Sequence, residues 1–336
     1  MPHPNRRDLP FAKLSDSLQR ALRWLNACVL LQRDDLIAVA WPIEPNVQRA
    51  RHTLRGWADD GFISPVGDSS GADERRAGVF TASGLAYRLG PRGAERLREA
   101  GVALHQRSDD PAPRVRTGLL LAGAFVVGLA RDLASDPSIA HFFWSSTPFL
   151  GDTVRADGEG ALCYAAHPQP SSDNAGQDAA AQDVWSLTMP ESAPVPGQLR
   201  VELILEVDSG TETSAQLAAR AARWRTVLRE RRAALRSGGW LQVLWVTDGG
   251  WERADTIWRA WITHARFPLF ITTVSTLTLD GGLRPWLALW RDEHGRPRTL
   301  NPHRSQEPIW RPQASAAPAA TTLPQAIAAW ETTQRS

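Results

Sequence analysis

Residues 201–212 read Val-Glu-Leu-Ile-Leu-Glu-Val-Asp-Ser-Gly-Thr-Glu, and a long helical pattern follows at about 214–236. Apolar residues at every second position of the first eight are typical of a β-strand with two different faces. A buried strand near 240–246, a helix at about 253–264 and a strand near 270–279 come next. Strands that alternate with long helices predict an α/β domain whose sheet is mixed in strand direction.

One face of the first strand carries three carboxylates, at Glu202, Glu206 and Asp208. Acidic side chains within a sheet domain require solvent, ion pairs or a metal to stabilise them. Asp157 lies at the end of the preceding strand pair, predicted at 149–164, and it can bring a fourth carboxylate to the same end of the sheet. Because oxygen-only clusters suit Mg²⁺ or Mn²⁺, Asp157, Glu206 and Asp208 are candidate metal ligands and candidate catalytic residues.

An alternative interpretation of the acidic strand needs no metal. In it, the acidic face is open to solvent and pairs with Arg220 and Arg223 of the next helix. The spacing alone favours neither interpretation. Arg220 is also a candidate catalytic residue, because it is a cation close to the acids in the sequence. Lys13 is the only lysine, so a mechanism that needs a lysine beyond the N-terminal segment is excluded.

The first hundred residues have a different order of elements. Helical patterns come first and a strand–turn–strand pattern follows, and a further helix closes the region. The predicted helices lie at 14–31, 34–41, from Glu44-Pro45 to about 59, and 92–100, and the strands lie at 62–66 and 79–81 around a Gly/Ser/Asp-rich turn. Three helices followed by a β-hairpin are typical of a winged-helix domain with a helix-turn-helix, which we place at 12–103.

The third helix separates into an apolar and a polar face. Its apolar side is predicted to pack inward and comprises Val47, Ala50, Leu54, Trp57 and Ala58. Its outer side comprises Gln48, Arg49 and His52, with Arg55 on the flank. Arginine and glutamine read the edges of guanine and adenine in the major groove, so these four are candidate contacts to double-stranded DNA. Arg75 and Arg76, near the predicted hairpin tip, are candidates for phosphate contacts. The competing interpretations are an ordinary solvated helix and a homodimer formed through this domain.

Three motifs resemble the replication-relaxation family, DNA-binding proteins of plasmids and integrated conjugative elements. Residues 51–63 resemble its recognition helix and exit turn, and residues 87–93 resemble its Tyr-x-Leu-Thr-x-x-Gly signature, with Gly90 in place of Thr. Residues 206–212 match its Glu-x-Asp-x-Gly-Thr-Glu turn. The likeness covers roughly 14–290. It implies a role in replication or transfer initiation (relaxation) or its transcriptional control, with a relaxase or a replication initiator as protein partner.

The second half also resembles the restriction-endonuclease fold, whose catalytic pattern is Pro-Asp followed by (Asp/Glu)-x-Lys. Here Ala156 precedes Asp157, and Asp208 stands at the lysine position. An aspartate reverses the charge that supports the attacked phosphate, and arginine does not give up a proton at neutral pH. We therefore expect a non-catalytic protein. The alternatives are a Mg²⁺-dependent DNA endonuclease or nickase that uses the acidic strand, and a scaffold for protein partners, which the many tryptophans favour.

Composition sets the remaining expectations. The 336 residues suffice for two domains, and a formal charge of +2 requires any DNA contact to come from local patches. Cys28 and Cys163 are far apart, which predicts a reducing compartment, and the longest apolar run, 117–130, is too short to cross a bilayer. We expect a cytoplasmic protein with no membrane partner and no required cofactor. We place a linker at 104–115, the endonuclease-like domain at 116–300 and a mostly disordered tail at 311–336.

Overall fold

The computed structural model describes residues 8–42, 45–66, 85–104, 113–134, 136, 139–146, 149–150, 154–164, 200–234, 239–279 and 282–300. Its contacts divide the chain into two compact units, residues 1–77 with 81–127 and residues 78–80 with 128–336. Both units combine helices and strands. Most of the predicted linker and all of the predicted tail lie outside the described residues.

In the part of the first unit that the structure describes, helices pack around a small antiparallel sheet, after a short 3-10 helix at Phe11–Lys13. Its elements are α1 (Asp16–Cys28), β1 (Leu31–Gln32), α2 (Arg33–Ala40), α3 (Val47–Asp59), β2 (Ile63–Val66), β3 (Ala86–Leu89) and α4 (Pro91–Glu99). The strand order is β1-β3-β2. The apolar stripe of α1 forms as predicted, because Leu18, Leu22 and Leu25 are fully buried.

The strand that pairs with β2 differs from the predicted one. Among the described residues its partner is β3, with Ile63 opposite Leu89 and Val66 opposite Ala86. The predicted return strand at 79–81 lies outside the described ranges. The chain leaves β3 at Gly90, where a Cβ atom would lie only 2.8 Å from the backbone carbon of Phe62. A side chain such as that of threonine does not fit at this position without a shift of the backbone.

Within the described ranges, the second unit is built on a mixed sheet of seven strands, as the alternating pattern predicts. The strands of the unit, of which four belong to two separate two-stranded sheets, are β4 (Ile139–Ser146), β5 (Phe149–Leu150), β6 (Val154–Arg155), β7 (Gly158–Tyr164), β8 (Arg200–Asp208), β9 (Gly239–Thr247), β10 (Leu269–Thr273), β11 (Thr278–Leu279), β12 (Gly282–Leu283), β13 (Trp290–Arg291) and β14 (Pro297–Arg298). The helices are α5 (Pro113–Leu133), which contains the boundary between the two units, α6 (Ser214–Ala234), α7 (Gly250–His264) and α8 (Val274–Leu277).

The order within the large sheet is β14-β13-β10-β9-β8-β7-β4. Strands β8, β9 and β10 are parallel, and the other neighbours are antiparallel. Helices α6 and α7 are the crossovers between the parallel strands, and both contribute to one apolar core against the sheet, which includes Ile204, Trp224, Trp245 and Trp261. This arrangement covers one face of the interior strand β8 with helices.

Three sequence predictions about local structure are wrong. The strand predicted through 279 ends at Thr273, because the side chain of Thr273 accepts a hydrogen bond from the backbone N–H of Thr276 and starts α8. The strand predicted at 286–290 is limited to its last residue, which begins β13. Helix α3 is capped by the side chain of Asn46, which accepts from the N–H of Arg49 at 3.0 Å, and not by Glu44-Pro45.

No helix in the part of the chain that the structure describes is long and apolar enough to cross a membrane.

Candidate functional site

The acidic face of β8 is buried beneath the helix layer. The exposed fractions of Glu202, Glu206 and Asp208 are 8%, 0% and 3%. The expectation of a solvent-exposed acidic face is therefore wrong, because α6 and α7 cover this side of the strand. The expected pairing with Arg220 is present, whereas Arg223 lies on the exposed side of α6. Carboxylates buried in this way require positive charge from within the protein.

Arg220 of α6 holds the first group of acids. Its guanidinium is hydrogen-bonded to Glu206, lies 3.6 Å from Asp157, and lies 3.3 Å from both carboxylate oxygens of Glu212. It also stacks over the ring of Trp245, 5.3 Å from the ring centroid. Asp157 is fixed in turn by the backbone N–H of Val207, which donates to it at 2.8 Å. One guanidinium thus gathers carboxylates from the turn before β7, from β8 and from the turn before α6.

Arg253 of α7 holds the second acid, Asp208. The two side chains form a bidentate pair with distances of 2.7 and 2.9 Å. Asp208 also accepts hydrogen bonds from the hydroxyl of Thr247 at 2.8 Å and from the backbone N–H of Gly210 at 3.1 Å. Burial raises the pKa of this carboxyl, but the bonds from Arg253 and Thr247 outweigh burial and lower the pKa below its ordinary value. Asp208 is therefore a fully paired carboxylate, with Arg253, Thr247 and Gly210 as its partners.

Arg231, near the end of α6, holds the third group. Its guanidinium lies 3.2 Å from Glu202 and also contacts Glu159 of β7. Arg200 contributes a second cation, 3.2 Å from the other oxygen of Glu202. We call Arg220, Arg231 and Arg253 the arginine row, because each neutralises the acids at one level of the sheet. We call the acidic face of β8 together with the arginine row the acidic layer, which lies between the sheet and the helices.

Glu206 differs from its neighbours in this layer. One of its oxygens accepts from Arg220, but the other is buried and has no hydrogen-bond partner. Burial raises the pKa of Glu206 from its ordinary value of 4.5 to about 8, although Arg220 lowers it. The carboxyl group of Glu206 therefore takes up a proton at a higher pH than an exposed glutamate does.

The three candidate metal ligands do not converge on one point. Asp157 and Glu206 share the guanidinium of Arg220, whereas Asp208 is bound by Arg253. Within the described ranges, no group of three or more His, Cys, Asp or Glu side chains has an arrangement that could hold a metal ion. A guanidinium occupies the space among the carboxylates, so these residues as arranged do not fit Mg²⁺ or Mn²⁺. Metal binding by this cluster stays a prediction.

The outer face of α3 is a second candidate site. Ala50, Leu54 and Trp57 are buried, and Trp57 stacks on Trp41 with ring centroids 5.1 Å apart. Val47 departs from the predicted inner face, since it is 43% exposed in the first turn of the helix. The inner face is thus narrower than predicted, and it anchors the helix through its C-terminal half.

The four predicted contact residues of α3 all lie on the exposed side of the helix. They are Gln48, Arg49, His52 and Arg55. None of the three basic members forms an ion pair with another residue in the described ranges. Arg75 and Arg76, the predicted phosphate contacts, lie outside those ranges. The exposed face of α3 therefore presents hydrogen-bond donors and positive charge to a partner.

Sequence reasoning missed several residues that contact Arg220 or Asp208, namely Glu212, Thr247 and Arg253. Glu212 belongs to the quoted turn, and its spacing from Arg220 along the chain gave a usable signal. Arg253 and Thr247 gave none, because they reach Asp208 from a different helix and a different strand. Their proximity depends on the parallel pairing of β8 with β9, which places Asp208 opposite Thr247.

The chain was compared with protein-family models, with curated proteins and with solved structures, and none of these comparisons found a match. The resemblance to the replication-relaxation family accordingly stays a prediction that rests on residues 51–63, 87–93 and 206–212.

Arg220 belongs to the arginine row and Arg223 of the same helix does not. Substitutions of these two residues should therefore change the free energy of unfolding by different amounts. Arg220→Ala leaves the buried acids around Glu206 without a cation, so we expect the free energy of unfolding to fall by about 3 kcal/mol. Arg223→Ala removes an exposed charge and should change it by less than about 0.5 kcal/mol. Urea unfolding of both variants measures the difference. Equal effects of the two substitutions would show that Arg220 has no special role.

The raised pKa of Glu206 predicts that the free energy of unfolding depends on pH. Because folding raises the pKa of Glu206 from 4.5 to about 8, the folded chain binds more protons than the unfolded chain between these values. Its contribution to stability is complete below about pH 4.5 and is lost as the pH rises to about 8, by at most about 1.4 kcal/mol per pH unit.

Glu206→Gln keeps the shape of the side chain but cannot ionise, so the variant should lose this part of the decline. The measurement is urea unfolding of wild type and variant at several values between about pH 5 and about pH 8. All other titrating groups are common to both proteins, and the difference isolates Glu206. A variant that loses stability as steeply as wild type over this range contradicts the prediction.

Proposed function

We propose that the protein is a non-catalytic, sequence-specific DNA-binding protein, and that α3 is the helix that reads base edges. The observation that carries this proposal is the exposed face of α3, where Arg49, His52 and Arg55 stand without an ion-pair partner among the described residues. Arginine forms bidentate hydrogen bonds with guanine, and Gln48 can do the same with adenine. A row of such donors along one helix suits the major groove, whose width admits an α-helix.

The order of elements in the first unit supports this assignment. Helices α1, α2 and α3 precede the antiparallel pair of β2 and β3, and this is the order of a winged-helix domain. In helix-turn-helix proteins the last helix of the motif lies in the major groove, which here corresponds to α3. Arg75 and Arg76 fall between the paired strands in the sequence, where a wing would carry them towards phosphates.

The acidic layer supports a non-catalytic second unit. We propose that this mixed sheet, with its β8–α6–β9 crossover, is a restriction-endonuclease-like domain that has lost its reaction. Cleavage on that fold needs carboxylates that hold a metal and a cation beside the attacked phosphate. Here Arg220 neutralises Asp157 and Glu206 within the fold, and Asp208 stands in place of the lysine, paired with Arg253.

The biological setting follows from the family resemblance alone. We infer that the protein acts at an origin of replication or transfer of a plasmid or an integrated mobile element, or regulates transcription there. A relaxase or a replication initiator is the protein partner that this setting suggests. The partner proposed from the residues themselves is double-stranded DNA.

The alternative function, a scaffold for protein partners, was suggested by the many tryptophans. The burial of these side chains argues against it. The chain has 15 tryptophans, and at least eight of them have side chains less than 2% exposed. These eight are Trp24, Trp57, Trp144, Trp224, Trp245, Trp261, Trp286 and Trp290. They serve the cores of the two units and are not available to a partner.

The role of α3 is testable with the full-length chain. Selection from a random pool of duplexes first identifies the preferred sequence. Arg49→Ala and Arg55→Ala should then each cost about 1–3 kcal/mol of binding free energy and relax the preference at one position, because each removes a base contact. Arg98→Ala, an exposed arginine of α4, is the matched control and should bind as wild type does. If the Arg49/Arg55 double variant retains full affinity, α3 is not the recognition helix.

The proposal also predicts that the protein does not cut DNA. Supercoiled plasmid should stay intact with wild-type protein in either Mg²⁺ or Mn²⁺, because no cation in the acidic layer is free to support the scissile phosphate. Asp157→Ala and Glu206→Ala serve as controls for a contaminating nuclease. Nicking by wild type that both variants lose would identify the acidic layer as an active site and overturn the proposal.

A further inference from the structure

Helix α6 carries more arginines than the acidic layer uses. Arg220 and Arg231 point to the sheet and neutralise buried carboxylates. Three others, Arg225, Arg229 and Arg232, are spaced four and three residues apart, so they lie on one side of the helix. We call these three the basic stripe. Arg229 and Arg232 are exposed, and Arg225 is half-buried.

The basic stripe has no counter-charge within the described ranges. None of its three arginines forms an ion pair there, although Arg232 lies over the ring of Phe267, 5.9 Å from the ring centroid. The only acid in the exposed part of α6 is Glu230, and helical geometry places it on the opposite flank, in line with Arg223. The stripe is therefore a continuous positive surface and not one side of a network of ion pairs.

The dipole of the helix does not account for this surface. A helix C-terminus attracts cations only within its last turn, which contains Arg232 but neither Arg225 nor Arg229. Like charges four residues apart repel each other, so Arg225 and Arg229 weaken the helix in the absence of a ligand. An anionic ligand with regularly spaced charges relieves that repulsion, and duplex DNA carries such charges along each strand.

We propose that the basic stripe of α6 is a second DNA-contact surface, which binds backbone phosphates without reading sequence. This inference rests on the proposed function, because it takes duplex DNA as the partner. It adds a division of roles between two parts of the chain. Contacts from α3 select the sequence, whereas contacts from the stripe raise the affinity for every duplex equally, as phosphate contacts do.

The matched pair for the test is Arg229→Gln and Arg223→Gln. Both substitutions remove one charge from an exposed site of α6, and both introduce a good helix former, but only Arg229 belongs to the stripe. The full-length proteins are titrated, by fluorescence anisotropy, with the selected duplex and with a scrambled duplex of equal length and composition. Each titration is repeated between about 50 and 200 mM salt.

For Arg229→Gln we expect a loss of affinity of several-fold that is equal for the two duplexes, and a slope of log affinity against log salt that is flatter by about 0.9. The triple variant Arg225→Gln, Arg229→Gln and Arg232→Gln should flatten the slope by about two to three. Arg223→Gln should match wild type in both respects. If Arg229→Gln and the triple variant also match wild type, the inference is overturned.

The Arg49/Arg55 double variant in the same titrations separates this inference from the proposed function. A loss of sequence preference in that variant, with a uniform loss of affinity in the stripe variants, supports both. A loss of affinity in the stripe variants alone supports the proposed role of the basic stripe and shows that α3 does not contact the DNA. Loss in the α3 variant alone overturns the stripe and leaves the proposed function intact. If the wild-type protein binds neither duplex, both proposals fail.

Discussion

The second unit depends on the neutralisation of acids that strand β8 buries. Glu206 and Asp208 lie towards the C-terminal end of β8 with almost no exposure, and charge in that position is unfavourable unless a cation lies close by. Arg220 of α6 and Arg253 of α7 supply those cations from two different helices. The layer therefore fixes the position of each helix along the strand, which the apolar core alone does not specify.

The sequence predicted this region well where the information was local. Alternation along β8 identified the strand and its acidic face, and the helical period identified α6 and its Arg220. Burial of the acidic face was not predictable in the same way, because alternation says which residues share a face but not what covers it. The partners of Asp208 were also beyond reach, since they meet it only when β9 pairs with β8 and α7 packs over the sheet.

In the first unit, the pairing of β2 was also not predictable, because its partner strand is distant in the sequence. The apolar residues of β2 were clear, but its partner β3 follows a long stretch of Gly, Ser and charged residues, and a short apolar run inside that stretch drew the prediction to 79–81. The outer face of α3 was predictable because it depends only on the helical period and on one buried side. Exposed positions such as Arg49 and Arg55 follow directly from those two facts.

The pairing of Asp208 with Arg253 has a consequence for how the sequence can vary. A change in either residue alone leaves a charge buried without its partner, which is strongly destabilising, whereas an apolar pair of similar volume is often tolerated at such a position. Positions 208 and 253 are therefore expected to change together among related chains, as arginine with acid or as two apolar residues. Their covariation would record the packing of α7 on the sheet even where the rest of the chain has diverged.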